Sequence, residues 1–152
     1  MRITLFEPDI AGNVGTILRL GACLGVGVDL IEPMGFPWGD RALRRAGMDY
    51  ADVAEVSRHA DWNAFQATAG RIVLATTRGA VQLWDAAFAA DDVLLLGSEG
   101  RGVPGEVHAA VALRVAIPMR PGVRSLNVAV AAGMIAGEMM RQTRSTSPAN
   151  GG

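Results

Sequence analysis

Several stretches set chemically capable side chains at short, fixed spacings. Asn13 and Arg19 lie close together near the N-terminus, and Glu99 stands inside the run Gly97-Ser98-Glu99-Gly100-Arg101-Gly102. Ser125-Leu126-Asn127 closes a Pro/Gly loop that carries Arg120 and Arg124. Arg41, Arg44 and Arg45 recur at i, i+3 and i+4, which puts them on one helix face. A carboxylate in a glycine loop is badly placed for packing and well placed for a ligand or for the loop's own amides. Ser125 and Asn127 stand where a helix starts, so capping and a role in a site account for them equally well. Asn13 reads as a helix cap, Arg19 as a solvent-facing side chain, and the arginine cluster as a solvated or a phosphate-binding face.

What is absent narrows the chemistry. All 14 basic residues are arginine. Without lysine there is no Schiff base and no phosphate-loop lysine. Any basic patch is built of planar forks suited to phosphate. His59, His108 and Cys23 are scattered along the chain, which argues against a metal centre. One cysteine allows no internal disulfide and fits a reducing compartment, hence a cytoplasmic protein. The net charge of −1 does not by itself suggest nucleic acid. With 50% apolar and 19% charged residues, the 152-residue chain reads as globular and soluble. A single domain over residues 1–144 is expected, with a Ser/Thr/Pro/Asn/Gly tail over 145–152 whose composition predicts disorder. No apolar run reaches the roughly 18 residues of a membrane span. Residues 1–7 turn polar too soon for a signal peptide.

These side chains need elements to hold them. Residues 3–6 read as a buried first strand, ended by Glu7-Pro8-Asp9. Asn13 then caps a helix whose Ile17, Leu18, Gly21, Ala22 and Gly25 share a face. Gly25 and Gly27 close it before a second strand over 28–31, a β-α-β unit with parallel strands. Asp40 is expected to cap a short arginine-bearing helix. Residues 53–56 suggest a short strand, and Asp61 caps a helix through Ala69 with Trp62 and Phe65 inward. Strands follow over 71–75, 92–96 and 113–117, with Pro104 in the first turn of a short helix through Ala110. The alternation predicts an open α/β sheet of five or six parallel strands.

Ligands in such sheets bind beyond the carboxyl ends of strands. Three ends here are unusual, at residues 75–79, 97–102 and 117–122. Neither a phosphate loop nor a dinucleotide fingerprint is present, since the first turn offers only Gly12 and Gly15. Behind the third loop runs a helix with Ala129, Gly133 and Gly137 at i, i+4, a spacing that admits a neighbouring backbone. Val128, Val130, Met134, Ile135 and Met139 occupy its other faces. A helix apolar all round needs burial on both sides.

Taken together, the motifs resemble the SPOUT superfamily of RNA methyltransferases, and within it the TrmL type, the tRNA (cytidine/uridine) 2′-O-methyltransferases. The superfamily-wide carriers are Asn13-x-Gly15-x-x-x-Arg19, Gly97-x-Glu99-x-x-Gly102-x-Pro104 and Ser125-x-Asn127. Thr76-Thr77-Arg78-Gly79 and Ile117-Pro118-Met119 complete that set. Ile31-Glu32-Pro33-Met34-Gly35-Phe36 and Leu43-Arg44-Arg45-Ala46-Gly47-Met48-Asp49-Tyr50 point to the TrmL type. The chain departs from the pattern at Ala11-Gly12, where proline is usual before Asn13, and at Ser98, where the TrmL type often has proline.

The resemblance implies a SPOUT-type open parallel sheet with helices on both faces and a deep C-terminal trefoil knot, working as a homodimer through its C-terminal helix. It implies bound S-adenosylmethionine, held by Ala75, Thr76 and Thr77, by Gly97, Glu99, Gly100 and Gly102, and by Ile117, Met119, Ser125, Leu126 and Asn127. The reaction implied is methyl transfer to a ribose 2′-hydroxyl of tRNA, at the wobble pyrimidine of the anticodon loop, in leucine tRNA. Other tRNA or rRNA positions and a non-catalytic RNA-binding member are the alternatives. Arg19 is expected to clamp phosphate and stabilise the developing alkoxide, with a general-base role as the lesser possibility. Asn13 orients Arg19 or the ribose, Glu99 and Ser125 shape the site, and Asn127 holds the loop. Arg41, Arg44, Arg45, Arg120 and Arg124 are expected to meet RNA phosphates. Phe36, Trp38 and Tyr50 are candidates to stack on unpaired bases, with ordinary packing as the equal alternative.

Overall fold

The run Val93–Leu96 is buried along its whole length, so the sheet that contains it must be covered on both faces. The computed structural model describes residues 1–39, 41–51, 53–78 and 80–144, without the side chains of Ala42 and Met48. In chain order the elements are β1 (Arg2–Phe6), α1 (Ala11–Leu24), β2 (Gly27–Ile31), α2 (Arg41–Ala46), a 3-10 turn (Met48–Tyr50), β3 (Val56–His59), α3 (Trp62–Gln66), β4 (Ile72–Ala75), β5 (Val81–Gln82), a second 3-10 turn (Leu83–Asp85), β6 (Val93–Leu96), α4 (Gly105–Ala110), β7 (Leu113–Ala116) and α5 (Val128–Thr143).

Among the described residues one sheet of 7 strands forms, in the order β3-β2-β1-β6-β4-β7-β5. Every pairing in it is parallel. The strict alternation of side chains sorts the core into two layers. Ile3, Leu5, Val28, Leu30, Val73, Leu94 and Leu96 face α1, α5 and Leu43 of α2. Phe6, Ile31, Ile72, Leu74, Val93 and Leu95 face Phe65 of α3 and Val107 of α4. Arg2 of β1 forks onto buried Asp29 of β2, Nε to Oδ2 at 2.7 Å and the second contact at 3.2 Å, and His59 Nε2 of the edge strand β3 lies 3.0 Å from Asp29 Oδ1. The bond between Glu32 and Pro33 is cis. No helix among the described residues is long and apolar enough to cross a membrane.

Several expectations need correction. Helix α1 begins at Ala11 with Ile10 at the cap, so Asn13 lies within the first turn rather than at its start. The third strand is Val56–His59 rather than 53–56, because the amides of Val53 and Ala54 close back onto the Tyr50 carbonyl and prolong the preceding turn. Val81–Gln82 supplies a further strand, two residues long, that no sequence period of that length could announce. Pro104 is the cap of α4 rather than a residue of its first turn. Gly27 starts β2 instead of closing α1, which ends on Gly25 at φ 65°.

On α5, Ile135 and Met139 turn into the core with Ala132 and Ala136, while Val130 and Met134 stay exposed. A Cβ placed on Gly133 or Gly137 would meet nothing within 4 Å, so among the described residues no other segment packs against these two glycines of the stripe. The expected cap at Asp40, Gly79 at the end of the first loop, and the tail from residue 145 lie outside the described residues.

Candidate active site

Strands β6, β4 and β7 are consecutive in the sheet, and their carboxyl ends deliver the three unusual loops side by side. Between the loops lies a cavity of about 490 Å³. Leu74, Leu96, Val115 and Ile135 give it an apolar floor and wall, and Arg78, Arg101 and Arg124 bring positive charge to it. Ala75, Thr76, Thr77, Gly97, Glu99, Gly100, Gly102, Ile117, Met119, Ser125 and Leu126 all line it, while Asn127 does not.

The glycine loop owes its shape to close backbone contact. Ser98 and Gly102 pair with each other in both directions, at 3.0 and 2.8 Å. Gly102 has φ 68°, and a Cβ on Gly97 would stand 2.7 Å from the Gly102 carbonyl carbon. Side chains at these two positions would open the turn. Glu99 lies within this turn and is claimed by two donors. Its Oε2 accepts from the Asp9 amide and its Oε1 from Asn13 Nδ2, both at 2.9 Å.

Asp9 returns the contact. Its Oδ2 accepts from the Ser98 hydroxyl and from the Gly100 amide at 3.2 Å. These bonds, the Ser98 hydroxyl first, and then the charge of Arg101 hold the Asp9 carboxyl below its ordinary value. Arg101 also reaches Glu7 Oε2 at 3.2 Å. Glu7 takes φ 41°, a left-handed conformation that a non-glycine residue adopts at some cost, where the first strand turns toward this latch. Sequence reading missed Asp9. Its only signal was Ser98 standing in place of a proline.

Asn127 both caps and connects. Its Oδ1 accepts from the Ala129 and Val130 amides at 2.9 and 3.3 Å, and its Nδ2 donates to Asn13 Oδ1 at 2.9 Å. Glu99, Asn13 and Asn127 therefore form one chain of hydrogen bonds that joins the glycine loop, the first helix and the start of the last. His108, also missed, lines the cavity with its Nε2 3.1 Å from the Thr76 hydroxyl.

The structure does not bring Arg19 into the cavity lining. Arg19 lies exposed on α1 with its guanidinium carbon 5.1 Å from the centre of the Tyr50 ring. Arg41, Arg44 and Arg45 are exposed on α2, and Arg44 Nε donates to the Gly39 carbonyl at 3.0 Å. Of the loop arginines, Arg124 lines the cavity and Arg120 does not. The candidate stacking side chains make contacts within the chain. Phe36 and Trp38 pack on the core, Arg58 covers Trp38 at 5.3 Å, and Arg19 covers Tyr50. Among the described residues no group of three or more His, Cys, Asp or Glu side chains could hold a metal ion.

Residues 1–137 match the family model described as the SpoU rRNA Methylase family. A protein of Ancylobacter novellus named tRNA (cytidine(34)-2′-O)-methyltransferase is 53% identical over 147 residues, covering 94% of this chain and 93% of its own. A protein of the same name from Beijerinckia indica is 53% identical over 144 residues, covering 92% and 90%. A solved structure from work on the 2-OH methylation of C/U34 on tRNA has a TM-score of 0.88 at 39% identity, covering 93% of this chain and 94% of that one. The AdoMet-bound rRNA methyltransferase of Sinorhizobium meliloti has a TM-score of 0.84 at 27% identity, covering 95% of this chain and 57% of that one.

Proposed function

Because the chain belongs to the SpoU rRNA Methylase family, we propose that it is a tRNA methyltransferase acting on the ribose 2′-hydroxyl of the pyrimidine at position 34, with S-adenosylmethionine as methyl donor. Leucine tRNA is the substrate we expect, in the cytoplasm. The observation that carries the reading is the bond chain Glu99–Asn13–Asn127, which fixes an acceptor-side helix against a strand-end cavity.

The cavity suits the donor. Its volume of about 490 Å³ lies in the range of small-ligand sites. Its apolar floor matches an adenine ring, and the loop amides, carbonyls and arginines match a ribose and an amino-acid head. Backbone groups of residues 75–77, 97–102 and 117–126 would hold it. When bound, S-adenosylmethionine supplies a methyl group activated on a sulfonium.

The chain's own work is placement. Holding a hydroxyl and a methyl carbon in line turns a bimolecular encounter into a positioned step. Glu99, with both oxygens engaged, keeps the glycine loop closed rather than acting as an acid or base. Asn13 passes that order to α1, whose exposed Arg19 meets the acceptor from outside the cavity. A guanidinium holds its protons too tightly for general-base work, so Arg19 clamps phosphate and stabilises negative charge on the 2′-oxygen. Arg41, Arg44, Arg45, Arg120 and Arg124 hold the RNA backbone.

The assembly belongs to the same proposal. Val130 at 50% and Met134 at 39% exposure form an open apolar face on α5, beside glycines with room for a neighbour, and we read it as the contact of a homodimer. The trefoil knot is likewise part of the reading. Its support is that the segment after β7 returns to bond Asn13 of the first helix.

The decisive experiment is transfer from labelled S-adenosylmethionine to bulk tRNA, followed by mapping of the modified nucleotide. Label on the ribose of pyrimidine 34 is the expected result, and label elsewhere or none at all overturns the reading. Arg19→Ala should abolish transfer while cofactor affinity stays within about twofold. Normal turnover in that variant removes Arg19 from the mechanism.

A further inference from the structure

Two motifs far apart in the sequence meet as one unit. Gly15 of α1 faces Leu43 and Ala46 of α2 so closely that a Cβ there would stand 2.5 Å from the Ala46 Cβ and 3.0 Å from the Leu43 carbonyl oxygen. Gly47 closes the same contact from the other side. It has φ 142°, and its Cβ would stand 2.6 Å from the Gly15 carbonyl oxygen and 3.5 Å from the Arg19 Cβ. Only glycines allow this approach. The contact presses the 3-10 turn that follows Gly47 against the helix one turn before Arg19. Gly15 and Arg19 are four residues apart and share a helix face.

Tyr50 ends that turn and is fixed on both sides. Its amide donates to the Gly47 carbonyl at 3.0 Å, and its carbonyl accepts from the Val53 and Ala54 amides at 3.1 and 2.6 Å. The residue is 37% exposed, and its ring lies under the Arg19 guanidinium at 5.1 Å. An aromatic face attracts a guanidinium while leaving the edge hydrogens free to donate. An exposed arginine otherwise spreads over many rotamers, and that freedom must be lost when it engages RNA.

We infer that Tyr50 is a positioning residue for Arg19: the ring holds the guanidinium over the turn, ordered in advance and with its donors directed outward to the acceptor nucleotide. The inference rests on the methyltransferase reading and on Arg19 acting in it. It also reassigns Tyr50, since a ring covered by arginine is not a free platform for a base. The α1–α2 glycine contact is then the device that sets the ring's distance from the helix.

The test compares Tyr50→Phe, which keeps the aromatic face, with Tyr50→Leu, which keeps apolar bulk and loses it. Steady-state methylation of tRNA is measured beside cofactor affinity and thermal stability. Tyr50→Phe should keep kcat within about threefold of wild type, and Tyr50→Leu should lower kcat about tenfold with cofactor affinity unchanged. A merely structural role moves stability and cofactor affinity in both variants and shows no rescue by phenylalanine. Equal kcat in the two variants overturns the inference while wild-type activity leaves the functional reading standing. A wild type that methylates no tRNA overturns both.

Discussion

At Glu99 both carboxylate oxygens are committed to nitrogen donors, the Asp9 amide and the Asn13 side chain. Glutamine keeps the shape but turns one oxygen into a donor facing a donor. Glu99→Gln should therefore lower stability by about 1–3 kcal/mol in urea unfolding and weaken cofactor binding with it. Asp9 gives a pH signature. Its carboxyl is held below the ordinary 3.8 by the Ser98 hydroxyl, the Gly100 amide and Arg101. A depressed carboxyl stabilises the fold above its unfolded value and ceases to as pH falls through the folded one. The melting-temperature advantage of wild type over Asp9→Ala should be constant above 3.8 and close below it. Glu138, drawn down to about 2 by Arg141 and Gln142, is common to both proteins and cancels in the comparison. Glu99 was legible in the sequence because a carboxylate among glycines has few uses. Asp9 was not, because an Asp after Pro at a strand end reads as a turn, and its partners lie some ninety residues away.

Helix α1 shows why element boundaries escaped the sequence. Asn13 has the chemistry of a cap, yet Ile10 stands at the cap without a side-chain bond. What overrides the local preference is tertiary: Asn13 is recruited by Glu99 and Asn127 from the far parts of the chain. Strand β3 was displaced for a related reason, since the turn onto Tyr50 consumes Val53 and Ala54. The buried strands β1, β2, β4 and β6 were readable as apolar runs because both of their faces are covered. The contact of α1 with α2 carries its own prediction. Gly15→Ala puts a methyl where Ala46 and Leu43 already stand, and should cost about 1–3 kcal/mol in unfolding. It should also depress kcat, because the turn that carries Tyr50 moves away from Arg19.

For the whole molecule, composition and alternation of elements gave the layered parallel sheet, and apolarity around α5 gave a second burial need. Neither indicated which α5 side chains face inward, because a helix apolar all round has no strong phase. Val130→Asp places a charge on the open face and should leave a folded monomer in sedimentation, where the proposed assembly predicts a dimer for wild type. A wild-type monomer at assay concentration would count against the assembly. The pairing of Asn13 with Asn127 has a further consequence, in time rather than in space. It spans 114 positions, so the first helix receives its last partner only when nearly the entire chain is available. The sheet can gather earlier, its longest-range ladder joining Arg2–Leu5 to Val93–Leu96, whereas the bond chain of the proposed site must wait. In refolding, amide protection of the central strands should precede recovery of donor binding. On the ribosome, a chain that stops short of Asn127 lacks this bond, so stalled chains of increasing length should bind donor only once residue 127 is in place.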